Sequence, residues 1–382
     1  MSGKKGYLLR MRRREICCER LEVERICAEC LKVEEMMDRS RTDRKFKVQN
    51  EGFESIRPVP QRRIIEKMNE YMSRRDYGGA ERHLCYWLEE ALLGGDLQGQ
   101  LMIRNELVGH YRKTGQREKA MENAAKALEL LETLGMEKTI SAGTTYVNAA
   151  TACNAFGDHE RSIALFIKAR EAYENSAYTD AELLGGLYNN MALTCTALGQ
   201  KRLAERADGV QSQDGCRAQE SPREQAGSQT QESSREQAGS QTLHGGKSAA
   251  EWFEEALTLY EKAAKVMAGV ADGELEQAIT YLNMADTVEA QVGMEEGESR
   301  IYALLDRAEE LLETKGEEFL GRDERLLSDR AALRMLGREE KARLGYYAFV
   351  CEKCAPTFAY YGYFLSADHF RETADRITEG LA

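Results

Sequence analysis

The chain has 382 residues, 42% hydrophobic, with 4 prolines and a formal net charge of −12. Residues 1–60 hold 15 Lys and Arg against 11 Asp and Glu, leaving 38 against 54 in the remainder; so acidic a body excludes a broad nucleic-acid surface, which needs clustered positive charge to release counterions. No run of about 18 apolar residues occurs, and the start at Met1-Ser2-Gly3-Lys4-Lys5 lacks the apolar core of a secretory signal, so a cytoplasmic protein without membrane association is expected.

Scarce proline and abundant Ala, Leu, Glu, Lys, Arg and Met make helix the expected state throughout. Residues 1–60 interleave basic and acidic side chains, with Arg12, Arg13 and Arg14 near the start and Pro58 and Pro60 at a boundary. They read as a basic, poorly ordered extension, and the internal Met36 and Met37 leave a non-native upstream addition as the alternative.

From residue 61 the chain repeats. Tyr146, Asn148, Ala150, Cys153 and Gly157 recur as Tyr188, Asn190, Ala192, Cys195 and Gly199, and again as Tyr281, Asn283, Ala285, Val288 and Gly293. An earlier copy runs through Leu107, Val108, Tyr111, Gly115, Ala120 and Ala127, and a weaker first copy through Ile64, Tyr71, Ala80 and Trp87. Tyr146 and Tyr188 lie 42 residues apart, while Tyr188 and Tyr281 lie 93 apart, so 51 residues have been inserted into the latter interval. Each copy carries an apolar stripe at helical spacing, a Gly-containing turn and a second stripe such as Ile163, Phe166 and Ala169. That pattern is a helix hairpin, which cannot bury its own face and must stack on its neighbours. The recurring tyrosines and alanines are expected to be packing residues.

The repeats occupy 61–206 and 249–316. Between them, 207–248 is rich in Gly, Ser, Gln, Glu and Arg, and its residues 220–231 are nearly duplicated as 232–243. So few large apolar side chains do not offset the ordering entropy, and a disordered, dispensable insertion in a turn is expected, with a regulatory tail as the alternative and with Trp252, Phe253, Ala256 and Leu257 resuming the second helix. Residues 317–382 gather Tyr346, Tyr347, Phe349, Phe358, Tyr360, Tyr361, Tyr363, Phe364 and Phe370 into a helical cap, with Pro356 kinking or ending a helix.

Catalytic and metal chemistry finds little support. Cys27 with Cys30 and Cys351 with Cys354 have a zinc-like spacing but stand outside Gly-containing turns, and Cys153 and Cys195 fall on apolar faces as small hydrophobes. Gly246, Lys247 and Ser248 lack the upstream Gly and strand of a phosphate-binding loop. His83, His110, His159, His244 and His369 lie in no nucleophile or metal motif and are read as surface residues. No metal, cofactor or enzymatic activity is expected.

With an aromatic at the fourth position, small residues at the eighth and twentieth and Gly after the first helix, the pattern resembles the tetratricopeptide repeat, in the long-period form typified by kinesin light chains and widespread in bacteria. Val108 and Ser162 depart from it. The resemblance covers about 61–316 without the insertion and implies an all-α, right-handed α-solenoid of stacked hairpins. It further implies that Asn148, Asn190 and Asn283, at the sixth position of their first helices, line a concave groove and grip a peptide. A carboxamide suits that role because it donates and accepts at once. The alternative is that Asn148, Asn190 and Asn283 merely bond neighbouring helices; in the groove reading Asn105, Arg112, Asn154, Asn189 and Asp286 would add specificity. The expected function is a non-catalytic scaffold that binds a protein or peptide, with a peptide-sensing receptor that changes its superhelix as the alternative.

Overall fold

The computed structural model describes residues 57–176, 179–216, 246–321, 325–328 and 330–381, with backbone alone over 207–216. The expectations for residues 1–56, for Cys27 and Cys30, for His244 and for the duplicated 220–243 lie outside the described residues.

All described elements are helical, and they come in hairpins. The pairs are α1 (Gln61–Ser73) with α2 (Tyr77–Leu93), α3 (Leu97–Lys113) with α4 (Arg117–Leu134), and α5 (Ile140–Ala155) with α6 (His159–Glu174). There follow α7 (Ala181–Cys216) with α8 (Ala249–Met267) and α9 (Gly273–Val292) with α10 (Met294–Leu320). After the short α11 (Arg325–Ser328) and α12 (Arg330–Met335), α13 (Arg338–Tyr360) and α14 (Phe364–Leu381) form the last hairpin. From α1 to α12 each helix packs on the next, α13 packs on α14, and the first helices α3, α5, α7 and α9 also touch in succession.

One turn geometry serves several corners. Arg75, Gly95, Gly115 and Gly157 adopt left-handed φ of 57°, 65°, 70° and 83°. The N–H of the residue after each reaches back to the carbonyl of Tyr71, Ala91, Tyr111 and Cys153 at 2.8–2.9 Å, closing the preceding helix. Three of those following residues, Asp76, Asp96 and Asp158, then turn their carboxylates onto the first free N–H groups of the next helix. Gly95 with Asp96 and Gly157 with Asp158 thus each stop one helix and start another, as Arg75 with Asp76 does at the first corner.

Inside the hairpins the repeated alanines let the backbones approach: Ala150, Ala192 and Ala285 are each 0% exposed. Ser162 is equally buried because its Oγ donates to the carbonyl of Ala150 at 2.8 Å, which satisfies the hydroxyl at a position where alanine is usual. Tyr146 and Tyr188 are buried and Tyr281 is half-buried against the same core. Gly143 admits the Tyr173 ring, since a Cβ there would stand 2.2 Å from Cε1.

One expectation needs correction. Gly199, aligned with the turn glycines, sits inside α7 with the Phe253 ring over it, and the helix continues to Cys216. The physical reason is the sequence that follows, Gln200, Lys201, Arg202, Leu203, Ala204 and Glu205, all strong helix formers without a breaker. Residues 217–245 lie outside the described residues, and Ser248 is the N-cap of α8, in a capping box with Glu251. Of the two alternatives for Pro356, kinking or ending a helix, the second does not hold, since it lies within α13.

The last hairpin packs on α9 and α10. Tyr347, Phe358, Tyr361 and Phe370 are buried, whereas Tyr360 and Phe364 are 48% and 65% exposed, so only part of the aromatic cluster covers core. Cys351 and Cys354 are both buried packing residues of α13. The corner before α9 is tied down electrostatically. Asp272, itself at a left-handed φ of 57°, takes a bidentate pair from Arg343 at 2.6 and 2.7 Å and a third bond from Lys315 at 3.2 Å.

Gly143→Ala is expected to destabilise the protein by about 1–3 kcal/mol through overpacking against Tyr173, read as a shift in the denaturant midpoint; an unchanged midpoint would show that the α5–α6 contact is looser than described.

Candidate functional site

The first helices are joined by a seam of side-chain hydrogen bonds. Asn105 Nδ2 donates to Thr145 Oγ1 at 2.9 Å, linking α3 to α5, and Asn189 Oδ1 accepts from Thr280 Oγ1 at 3.0 Å, linking α7 to α9. The partners are 40 and 91 residues apart, a difference equal to the 51-residue insertion, so these are one contact repeated at the same register. At the corresponding positions of the intervening pair, α5 and α7, stand Val147 and Leu187, which makes the seam polar, apolar and polar in turn. Thr196 and Thr287 add a buried hydroxyl pair at 2.9 Å between α7 and α9.

Against this seam the residues singled out from the sequence separate into groups. Asn148, Asn190 and Asn283 occupy one register on α5, α7 and α9. Asn190 and Asn283 are half-buried, and their main-chain carbonyls accept from Thr194 and Thr287. Asn148 is only 3% exposed, and its Nδ2 has no hydrogen-bond partner. Asn105 and Asn189 serve the helix seam, as just described. Asn154 Oδ1 pairs with His159 Nδ1 at 2.8 Å, and Asp286 accepts from Tyr361 of the last hairpin at 3.0 Å. Arg112 is buried.

The surface reading of the histidines fails at His110, which is 2% exposed on α3. His83 Nε2 meets the carbonyl of Ile64 at 3.0 Å, and His369 is exposed. His110 falls three residues after Leu107 and seven after Ile103, at helical spacing from both apolar residues, and that stripe is the signal that could have assigned it to the interior. It lines a small cleft where α1, α3 and α5 meet, together with Met68, Met72, Asn105, Gly109 and Asn148. The cleft offers ≈ 10 Å³ to the centre of a water molecule, about one water's worth.

Burial sets the titration of these helices. It lowers the pKa of His110 and of His159 from the ordinary histidine value; Glu81 opposes it at His110, while Lys119 and Lys113 reinforce it. Burial and the bond to Glu174 push the Tyr188 hydroxyl up to about 12, and burial pushes the Cys153 thiol up to about 11, which leaves it a poor nucleophile. Glu81 is held low by Lys119. Among the described residues no group of His, Cys, Asp and Glu is placed to hold a metal ion, and no helix is long and apolar enough to cross a membrane.

No protein-family profile and no curated protein matches the sequence. Among solved structures, the chain is similar to the crystal structure of BtubC (BKLC) from P. vanneervenii, at 16% sequence identity and a TM-score of 0.45, over 77% of this chain and 92% of that one.

A histidine whose folded pKa is lowered binds fewer protons than in the unfolded chain as pH falls below about 6.5, so its contribution is present above that value and lost below it. The thermal midpoint is therefore expected to fall between about pH 7.5 and about pH 5.5, before the carboxylates titrate. The fall shrinks in the double variant His110→Gln with His159→Gln; an equal fall in both proteins would contradict the burial assignment.

Proposed function

We propose that the protein is a non-catalytic scaffold that holds an extended segment of a partner protein along the face formed by its first helices. The observation that carries this reading is the row of amides at one register on α5, α7 and α9, two of which, Asn190 and Asn283, keep partly accessible side chains without a side-chain bond to a neighbour among the hydrogen bonds of the seam. Packed helices about 10 Å apart would offer one amide per roughly three residues of extended chain at about 3.3 Å each. An amide that donates and accepts can pair with a peptide backbone without reading its side chains. Sequence selectivity would then come from elsewhere along the face, with Arg112, which is buried, as one contributor.

Asn105, Asn154, Asn189 and Asp286 are assigned a supporting role, because each already has an intramolecular bond whose loss would disturb the helices that present the row. The acidic balance of the chain outside residues 1–60 favours partners with net positive charge by steering their approach.

The test is selection from a displayed random-peptide library on the wild type and on the double variant Asn190→Ala with Asn283→Ala. Enrichment should drop at least about tenfold in the variant, on the order of 1.4 kcal/mol, while its melting temperature stays within about 2 °C. Undiminished enrichment with intact stability would defeat the groove reading.

A further inference from the structure

Two features of the cleft between α1, α3 and α5 go unexplained by a generic peptide groove. The first is a set of unsatisfied polar atoms. Asn105 Oδ1, both ring nitrogens of His110 and Asn148 Nδ2 are buried without a hydrogen-bond partner, and His110 and Asn148 are 2% and 3% exposed. Buried donors and acceptors in native proteins are nearly always paired, and leaving them open is costly, so a purely structural cleft would be lined by apolar side chains instead.

The second feature is Gly109, in the interior of α3, where glycine weakens a helix relative to alanine. Several other helix-interior glycines have a steric reason, though Gly345, where a Cβ would meet only Leu381 Cδ1 at 3.8 Å, does not. A Cβ at Gly143, Gly185 or Gly199 would collide with Tyr173, Met267 or Phe253. A Cβ at Gly109 meets no heavy atom within 4 Å. Its missing side chain therefore leaves space at the cleft rather than room for a neighbour. The opposite wall comes from Met68 and Met72 of α1, unbranched thioethers that repack readily around an entering group.

The polar atoms define what fits. Asn105 Oδ1 accepts, Asn148 Nδ2 donates, and a neutral imidazole offers one donor and one acceptor. The Glu106 carboxylate, which also lines the cleft, disfavours an anion. We propose that this cleft, which as described holds about one water, opens by repacking of Met68 and Met72 into a subsite for a side-chain carboxamide, that of a Gln or Asn residue in a peptide bound along the first helices. The subsite rests on the groove reading above and adds to it a preference for one residue type at one place.

The experiment uses the full chain labelled with ¹⁵N at histidine and asparagine side chains, titrated with N-acetyl, N-methylamide tripeptides Ala-Gln-Ala, Ala-Leu-Ala and Ala-Glu-Ala. The glutamine peptide should shift the His110 and Asn148 signals and bind at least roughly tenfold more tightly than the other two. Gly109→Ala should abolish that preference while keeping or raising thermal stability, because its methyl group takes the free space and clashes with nothing. Equal binding of the leucine peptide would assign the cleft to main-chain amides and overturn the proposal. Shifts at Asn190 and Asn283 without any at His110 would overturn the subsite and leave the groove standing. No shift with any peptide would reduce the cleft to a resident-water site and count against both.

Discussion

A helix hairpin buries one face between its own helices and must bury the other against the next hairpin, so the register of stacking is the constraint on which everything else in this chain depends. It is set at close quarters by small residues. Ala150, Ala192 and Ala285 bring paired backbones together, while Gly143, Gly185 and Gly199 receive whole side chains from the second helices. It is then locked between hairpins by the repeated Asn–Thr contact of the first helices. Because those helices touch in sequence, any side chain that recurs at one register becomes part of a row. The candidate site is a consequence of the stacking rather than a structure added to it.

The same logic accounts for the tolerance of an insertion. The α7–α8 hairpin packs as extensively as its neighbours although its two helices are joined through the interval 217–245. Loop closure costs grow only logarithmically with length, and the packing on both sides is unaffected by what connects the helices. The capping box at Ser248 and Glu251 and the aromatic cover of Lys247 over Trp252, 4.5 Å from the ring centroid, restart the helix sharply after the interval.

Much of this was legible in the sequence because the repeat is carried by residue types that have few alternatives: buried alanines, packing tyrosines and left-handed glycines. The hairpins, the inserted interval and the resumption at Trp252 all follow from that pattern. It misled where one residue type has two uses. Gly199 matches the turn glycines by alignment, yet it serves close packing against Phe253, and only the uninterrupted helix formers after it carry the distinction. The site was legible to a lesser degree. A period places Asn148, Asn190 and Asn283 at one register, but the depth of each depends on which neighbours cover it, and those come from other helices. Hence Asn148 and His110 lie buried while Asn190 and Asn283 do not, and Asn189 and Asp286 are engaged by Thr280 and Tyr361, residues 91 and 75 positions away. Long-range partners of that kind leave no local trace in a sequence.

The stacking register is tested most directly by a double-mutant cycle on Asn189 and Thr280, using Asn189→Ala, Thr280→Ala and the double variant in denaturant unfolding. The two residues, 91 positions apart, meet only if α9 packs on α7 in the register described. A coupling energy of about 0.5–1.5 kcal/mol is expected for a buried hydrogen bond in contact. Strictly additive effects, with a coupling of about zero, would contradict the register and with it the row of amides on which the functional reading stands.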